Sequence, residues 1–126
     1  MTQRRHPDTS LADVLLMLDG IIKRIRRLND DLRVHRRGCS IIITAGIAAL
    51  GPDGVEDVLD AIARFDDFAA EDEHNGLHDF GTLVVHGVRV LWRIDCYDQR
   101  RFSCSPDAAD PGVTWRVLTI MRADEC

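Results

Sequence analysis

The feature that most limits the fold is the stretch HDFGTLVVHGVRVLWRID, residues 78 to 95, where two runs rich in β-branched and aromatic residues flank His86-Gly87. A two-residue connection of this kind is an ordinary β-hairpin turn, with glycine supplying a positive φ at no steric cost. With His86 and Gly87 at the turn, paired residues on the two strands have numbers that add to 173. That rule converts sequence into faces, because side chains alternate across a strand. Leu83 and Val85 then join Val88, Val90, Trp92 and Ile94 on an apolar face. The other face carries His78, Phe80, Thr82 and Val84 opposite Asp95, Arg93, Leu91 and Arg89, with Tyr97 beyond.

A hairpin with one apolar face must pack it on something, and two helical patterns are available. Leu11, Val14, Leu18, Ile21, Ile25, Leu28 and Leu32 recur at unbroken 3,4 spacing, one stripe of a long amphipathic helix that Thr9 or Ser10 can cap and that should end by Gly38. Gly20 is a point where it could kink. The same spacing suits a core-facing helix or a coiled-coil seam, and the seam would make a homodimer through those seven residues. A second helix is predicted from about Asp53 to Phe68, with Pro52 near its first turn and Val55, Val58, Leu59, Ile62, Phe65 and Phe68 on one face.

CSIIITAG, residues 39 to 46, is a short β-branched run that reads as a buried central strand. Residues 99 to 112 hold Ser105-Pro106-Asp107 and Asp110-Pro111-Gly112 and read as a loop. VTWRVLTIM, residues 113 to 121, has the composition of a strand. The expectation is a single α+β domain over residues 1–126: a long amino-terminal helix and a second helix packed on a small, mainly antiparallel sheet of about four strands.

Charge narrows the partners. The net −5 divides unevenly: residues 1 to 38 carry nine Lys/Arg against five Asp/Glu, and residues 39 to 126 carry seven against sixteen. An acidic body argues against direct nucleic-acid binding and favours a basic protein surface as partner. The run KRIRR, residues 23 to 27, is partly answered by i,i+4 pairs of Asp19 with Lys23, Arg26 with Asp30 and Arg27 with Asp31. The excess positive charge falls on Arg33, Arg36 and Arg37, candidates for partner or anion binding. Asp66, Asp67, Glu71, Asp72 and Glu73 are the acidic candidates. The longest charge-free run, Gly38 to Pro52, is too short and polar to span a bilayer, so no membrane role is expected and the cytoplasm is the default location.

The candidate chemistry lies on the polar face of the hairpin. An imidazole at His78, oriented by Asp95 and flanked by Arg93 and Tyr97, is the arrangement that acid/base catalysis uses, although the same pairing is also an ordinary cross-strand ion pair. A metal reading would recruit His74, His78, Asp79 and Asp95, but Asp79 alternates away from His78. The four cysteines have no CxxC or Cys/His spacing and read as reduced thiols, with a Cys96–Cys104 bridge geometrically possible. There is no glycine-rich phosphate loop and no nucleophile elbow, so neither metal nor cofactor is expected.

The strings LNDDLR (28 to 33), TAGIAAL (44 to 50), FDDF (65 to 68), HDFG (78 to 81), WRIDCYD (92 to 98), SPDAADP (105 to 111) and VTWRVLTIM (113 to 121) together resemble the bacterial family called domain of unknown function 3768. The resemblance spans roughly residues 25 to 126 and leaves residues 1 to 24 outside it. It departs from the family pattern at Leu77, where a glutamate precedes the histidine, and at Cys96 and Cys126, where tyrosines stand; a Glu-His-Asp site would lose one member here. The resemblance implies a setting, plasmids and other mobile elements, and no reaction. The function expected is an acidic protein–protein interaction module, of the kind that inhibits a host defence or nucleic-acid-handling complex (anti-CRISPR or anti-restriction type). The alternatives are a small hydrolase or ribonuclease-like protein using His78, Arg93, Asp95 and Tyr97, superficially like the toxin ribonucleases of toxin–antitoxin modules, and a dimeric structural or regulatory module.

Overall fold

The hairpin forms in the predicted register. In the structure, a computed structural model that describes residues 10–38, 40–68 and 76–125, β2 (Phe80–Val85) pairs antiparallel with β3 (Val88–Tyr97), from Phe80 opposite Arg93 to Val85 opposite Val88. His86 and Gly87 both take positive φ, 53° and 76°, the signature of the turn whose twist matches its strands. The segment 113 to 121 is a strand as expected: β4 (Trp115–Arg122) lies antiparallel to β3 with Tyr97 opposite Trp115 and Trp92 opposite Ile120.

The first strand, β1 (Ser40–Ile43), is not central. It pairs parallel with β4 alone, and the sheet order is β1-β4-β3-β2. An apolar run buried on both faces looks the same in sequence as one buried on a single face, and Ile42 is in fact half-exposed on the far side.

The helices all lie on one side of this sheet. Helix α1 (Leu11–His35) starts where the Ser10 hydroxyl accepts the Asp13 N–H, and runs through Gly20 without a break. It stops where Arg36 turns left-handed (φ 56°), so that the Arg36 and Arg37 N–H groups reach back to the carbonyls of Leu32 and Asp31. A short helix, α2 (Ala45–Ala48), precedes α3 (Gly51–Ala63), which ends five residues before the predicted Phe68. Phe65 and Phe68 leave the helix and pack edge-on against Trp92, with ring centroids at 5.6 and 6.2 Å. Leu32 of α1, Ile47 of α2 and Val58 and Ile62 of α3 close over Val90, Trp92, Ile94, Leu118 and Ile120 as one buried cluster.

Two close contacts stand out, one within the sheet and one at its carboxyl end. Gly81 lies directly against the Trp92 indole, where a Cβ would come within 2.5 Å of Nε1. At the carboxyl end, a 3-10 turn (Ala123–Glu125) returns the Glu125 carboxylate to α2, where it accepts from the Thr44 hydroxyl (2.6 Å) and from the N–H groups of Gly46 (2.9 Å) and Arg122 (2.7 Å). Those donors, the Thr44 hydroxyl first, hold the carboxyl below its ordinary range.

Candidate functional site

The sheet has two faces, and the expected catalytic group is divided between them. The alternation of β2 begins at Phe80, and Asp79 still joins the ladder, its carbonyl accepting the Ile94 N–H at 2.8 Å. His78 does not continue it. Its backbone is left-handed (φ 53°), which turns the ring away from Asp95 and into the helical layer. The predicted His78–Asp95 pairing is therefore corrected: Nδ1 lies 3.1 and 3.3 Å from the two carboxylate oxygens of Asp30 on α1, and the ring stacks flat on Phe68 at 3.8 Å.

Around that histidine the chain has built a polar clasp. Asp30 also takes Arg33 Nη2 at 2.9 Å, and Arg33 Nη1 donates to the carbonyls of Ile62 (2.8 Å) and Phe65 (2.9 Å) at the end of α3. A cation there satisfies carbonyls that the helix itself leaves open and sits at the negative end of its dipole. The guanidinium carbon also lies 5.3 Å from the Phe68 ring centre and 5.5 Å from that of Trp92. Arg33 is only 6% exposed, so it belongs to the core and is not presented to a partner, contrary to the sequence reading. One turn away, buried Asn29 donates to the Leu77 carbonyl and accepts from Arg116 Nε at 2.7 Å, while Arg116 Nη2 reaches the Ala108 carbonyl. These bonds fasten α1 to the segment before β2, to β4 and to the loop before it.

Chemically, an imidazole held at Nδ1 by a carboxylate is oriented for proton transfer. The other proposed members are out of reach. Arg93 and Asp95 lie on the opposite face of the sheet and pair with each other, Nε to Oδ2 at 3.0 Å, and Tyr97 shares their face. That face bears no helix among the described residues. It exposes Ile42, Phe80 (49%) and Val84 (64%), and Leu91, Trp115, Thr119 and Met121 lie between them. The hollow lined by Phe80, Leu91, Trp92, Arg93 and Met121 measures about 50 Å³, room for a few water molecules and too small for a substrate.

The sequence of residues 43–125 matches the model of the family described as Protein of unknown function (DUF3768). The chain belongs to this family. No curated protein and no solved structure matches it. The matched segment of this family member begins at the last residue of β1, so α1 precedes it; yet Asn29, Leu32 and Arg33 of α1 are buried against matched residues. The carboxyl-terminal half of α1 is thus part of this member's core.

Elsewhere in this family member the predicted binding residues are scattered. Arg36 bridges to Glu56 (3.0 Å) and Asp60 (3.3 Å) on α3, and Arg37 is exposed beside Pro111. Asp66 and Asp67 are exposed, whereas Glu71, Asp72 and Glu73, like His74, lie outside the described residues. Of the three predicted i,i+4 pairs on α1, Asp19–Lys23 forms at 3.0 Å. Arg26 instead donates to the Gly76 carbonyl at 2.6 Å, and Asp30 is taken by Arg33 and His78. Cys104 is a free thiol, so the Cys96–Cys104 bridge is not formed. Among the described residues no three metal-binding side chains converge and no helix is long and apolar enough to cross a membrane. What the sequence reading missed is Asp30 as the partner of His78, and the Asn29–Arg116 bond. The signal was present: at 100° per residue Asn29 and Arg33 fall on the same side of the helix as Ile22, Ile25 and Leu32, and polar residues at core-facing positions need partners.

Proposed function

We propose that this protein is a protein–protein interaction module whose docking surface is the uncovered face of the sheet. The observation that carries the reading is the exposure of Ile42, Phe80 and Val84 together on a face with no covering helix among the described residues. These residues are linked across the sheet by Leu91 and Met121, with Arg93 set between Phe80 and Thr119 and Arg89 opposite Val84, and apolar surface interleaved with a few charges suits a surface that meets another protein. The partner class is a basic, nucleic-acid-handling or host-defence complex, which the acidic body over residues 39 to 126 would complement and inhibit in a mobile-element setting. A homodimer through α1 would present two such faces.

The test is a native mass spectrum of tagged protein recovered from a host bacterium, compared with Phe80→Glu/Val84→Glu. A stoichiometric protein partner present with the wild type and lost with the double variant supports the reading. A partner retained by the variant places docking elsewhere. A second reading, a small hydrolase, rests on the Asp30-held His78; RNA cleavage by the purified protein that disappears in His78→Ala would replace the interaction reading.

A further inference from the structure

The apolar stripe of α1 outruns the body it packs on. Its carboxyl-terminal half is spent on the core: Asn29 and Leu32 are buried, and Arg26 is bonded to the Gly76 carbonyl. The same side of the helix continues upstream through Leu18, Leu15, Val14 and Leu11, and there it is bare, with Leu15 57% and Leu11 74% exposed. From residue 11 to 22 the only charges are Asp13 and Asp19. A helix exposing such a stripe has left its apolar face unpartnered.

We propose that a second copy of this chain covers it, the two overhangs crossing antiparallel with Leu15 of one near Leu18 of the other. The observations favour this occupant for three reasons. The stripe keeps its 3,4 spacing past the body, so an identical stripe running the opposite way interdigitates with it. Antiparallel crossing in that register sets the acidic first turn, with Asp13, toward the turn of the second copy that carries Lys23 and Arg24, and sets the two helix dipoles against each other. An anionic lipid surface is the poorer fit, because both charges within the overhang are acidic.

At ordinary residue areas the four stripe residues offer roughly 400 Å² per copy, a patch of the size that marks an interaction site. Two copies bury about 800 Å² that way and approach the roughly 1,200 Å² of a specific interface only with Met17, Ile21 and Ile22 included. The dimer should therefore dissociate in the micromolar range. The surface is distinct from the sheet face, and neither proposal depends on the other.

The test is sedimentation velocity of the full chain from 1 to 200 µM, with Leu15→Glu/Leu18→Glu and, as control, Leu16→Glu, which is exposed on α1 away from the stripe. The expected result is a reversible wild-type dimer, at least tenfold weaker association in the double variant, and no change in the control. Hydrogen exchange of the wild type provides a readout independent of any variant: amides 14 to 22 should exchange more slowly at 200 µM than at 1 µM. A wild type monomeric throughout, a double variant as dimeric as the wild type, or protection independent of concentration overturns the proposal. So does a monomer that sediments with phosphatidylserine vesicles.

Discussion

Arg33 is where the sequence reading and the structure make opposite forecasts for one substitution. Read as an exposed basic residue, Arg33→Ala should change stability by less than about 0.5 kcal/mol and act only on partner binding. In the structure it removes a 6% exposed guanidinium that donates to the carbonyls of Ile62 and Phe65 and to the Asp30 carboxylate. Breaking such a buried charged site costs about 3–5 kcal/mol. The end of α3 would lose its cation, and a void would open beside Phe68 and Trp92. Asp30 is one-third exposed, so water can resolvate it and its share of the cost is discounted. The expected loss is therefore about 3 kcal/mol, a large part of the stability of a domain this size. The transition midpoint in urea, followed by far-UV circular dichroism, should fall accordingly, with a Tm lower by about 10 °C. Arg33→Lys keeps the charge but not the planar fork that serves several acceptors at once, and should recover less than half of the loss. A loss below about 1 kcal/mol for Arg33→Ala would refute the argument that this side chain holds α1 to α3.

Three further outcomes are expected. Gly81→Ala puts a methyl carbon 2.5, 2.7 and 2.8 Å from three atoms of the fully buried Trp92 ring, and should cost about 3 kcal/mol, the upper end for overpacking, in the same urea titration. Gly20→Ala meets nothing within 4 Å in the middle of α1 and should raise stability by up to about 1 kcal/mol in thermal melts, through helix propensity alone. Glu125 has a folded pKa lowered by the Thr44 hydroxyl and the Arg122 and Gly46 N–H groups, so its contribution is fully present above the ordinary carboxylate value of about 4.5 and is lost as pH falls through the lowered value. Melts of Glu125→Gln from pH 6 to pH 2.5 should accordingly show a shallower acid-side decline than the wild type; curves of equal slope would remove the Glu125 latch from the account.

Local pattern made most of the sheet readable. The hairpin register follows from the turn residues and the alternation around them, and β4 from its β-branched composition. What failed depended on contacts between residues far apart in sequence. β1 is an edge strand because β4, more than seventy residues later, occupies its only paired side. Helix α3 ends at Ala63 where Arg33, about thirty residues earlier, takes its last carbonyls. His78 lies two residues past the range of the hairpin rule, and a single left-handed residue is enough to redirect a side chain that strict alternation would fix. The i,i+4 spacing pairs Asp30 with Arg26; the pairing that forms is instead with Arg33 at i,i+3 and with His78, which is remote in sequence.

Which residues folding has already used is the best guide to where function lies. His78, Arg33, Arg36, Asn29 and Arg116 each have an internal partner that accounts for their position. A polar cluster of that kind fixes the angle of α1 on the sheet whether or not it does chemistry. Among the described residues, apolar groups without such an account include the sheet face around Phe80 and Val84 and the first turns of α1 around Leu11 and Leu15. Exposed aliphatic and aromatic groups do nothing to stabilise the monomer, and Phe80 sits only two residues from the clasped His78. On the interaction reading proposed above, the clasp would act through geometry, holding the start of β2 and the carboxyl-terminal half of α1 so that both surfaces are presented from a fixed frame. Asp30→Asn separates this from a catalytic role. It should loosen the clasp and weaken partner capture through the sheet face without touching any residue on that face, whereas a variant that captures partner as the wild type does would leave His78 and Asp30 with a purpose other than positioning.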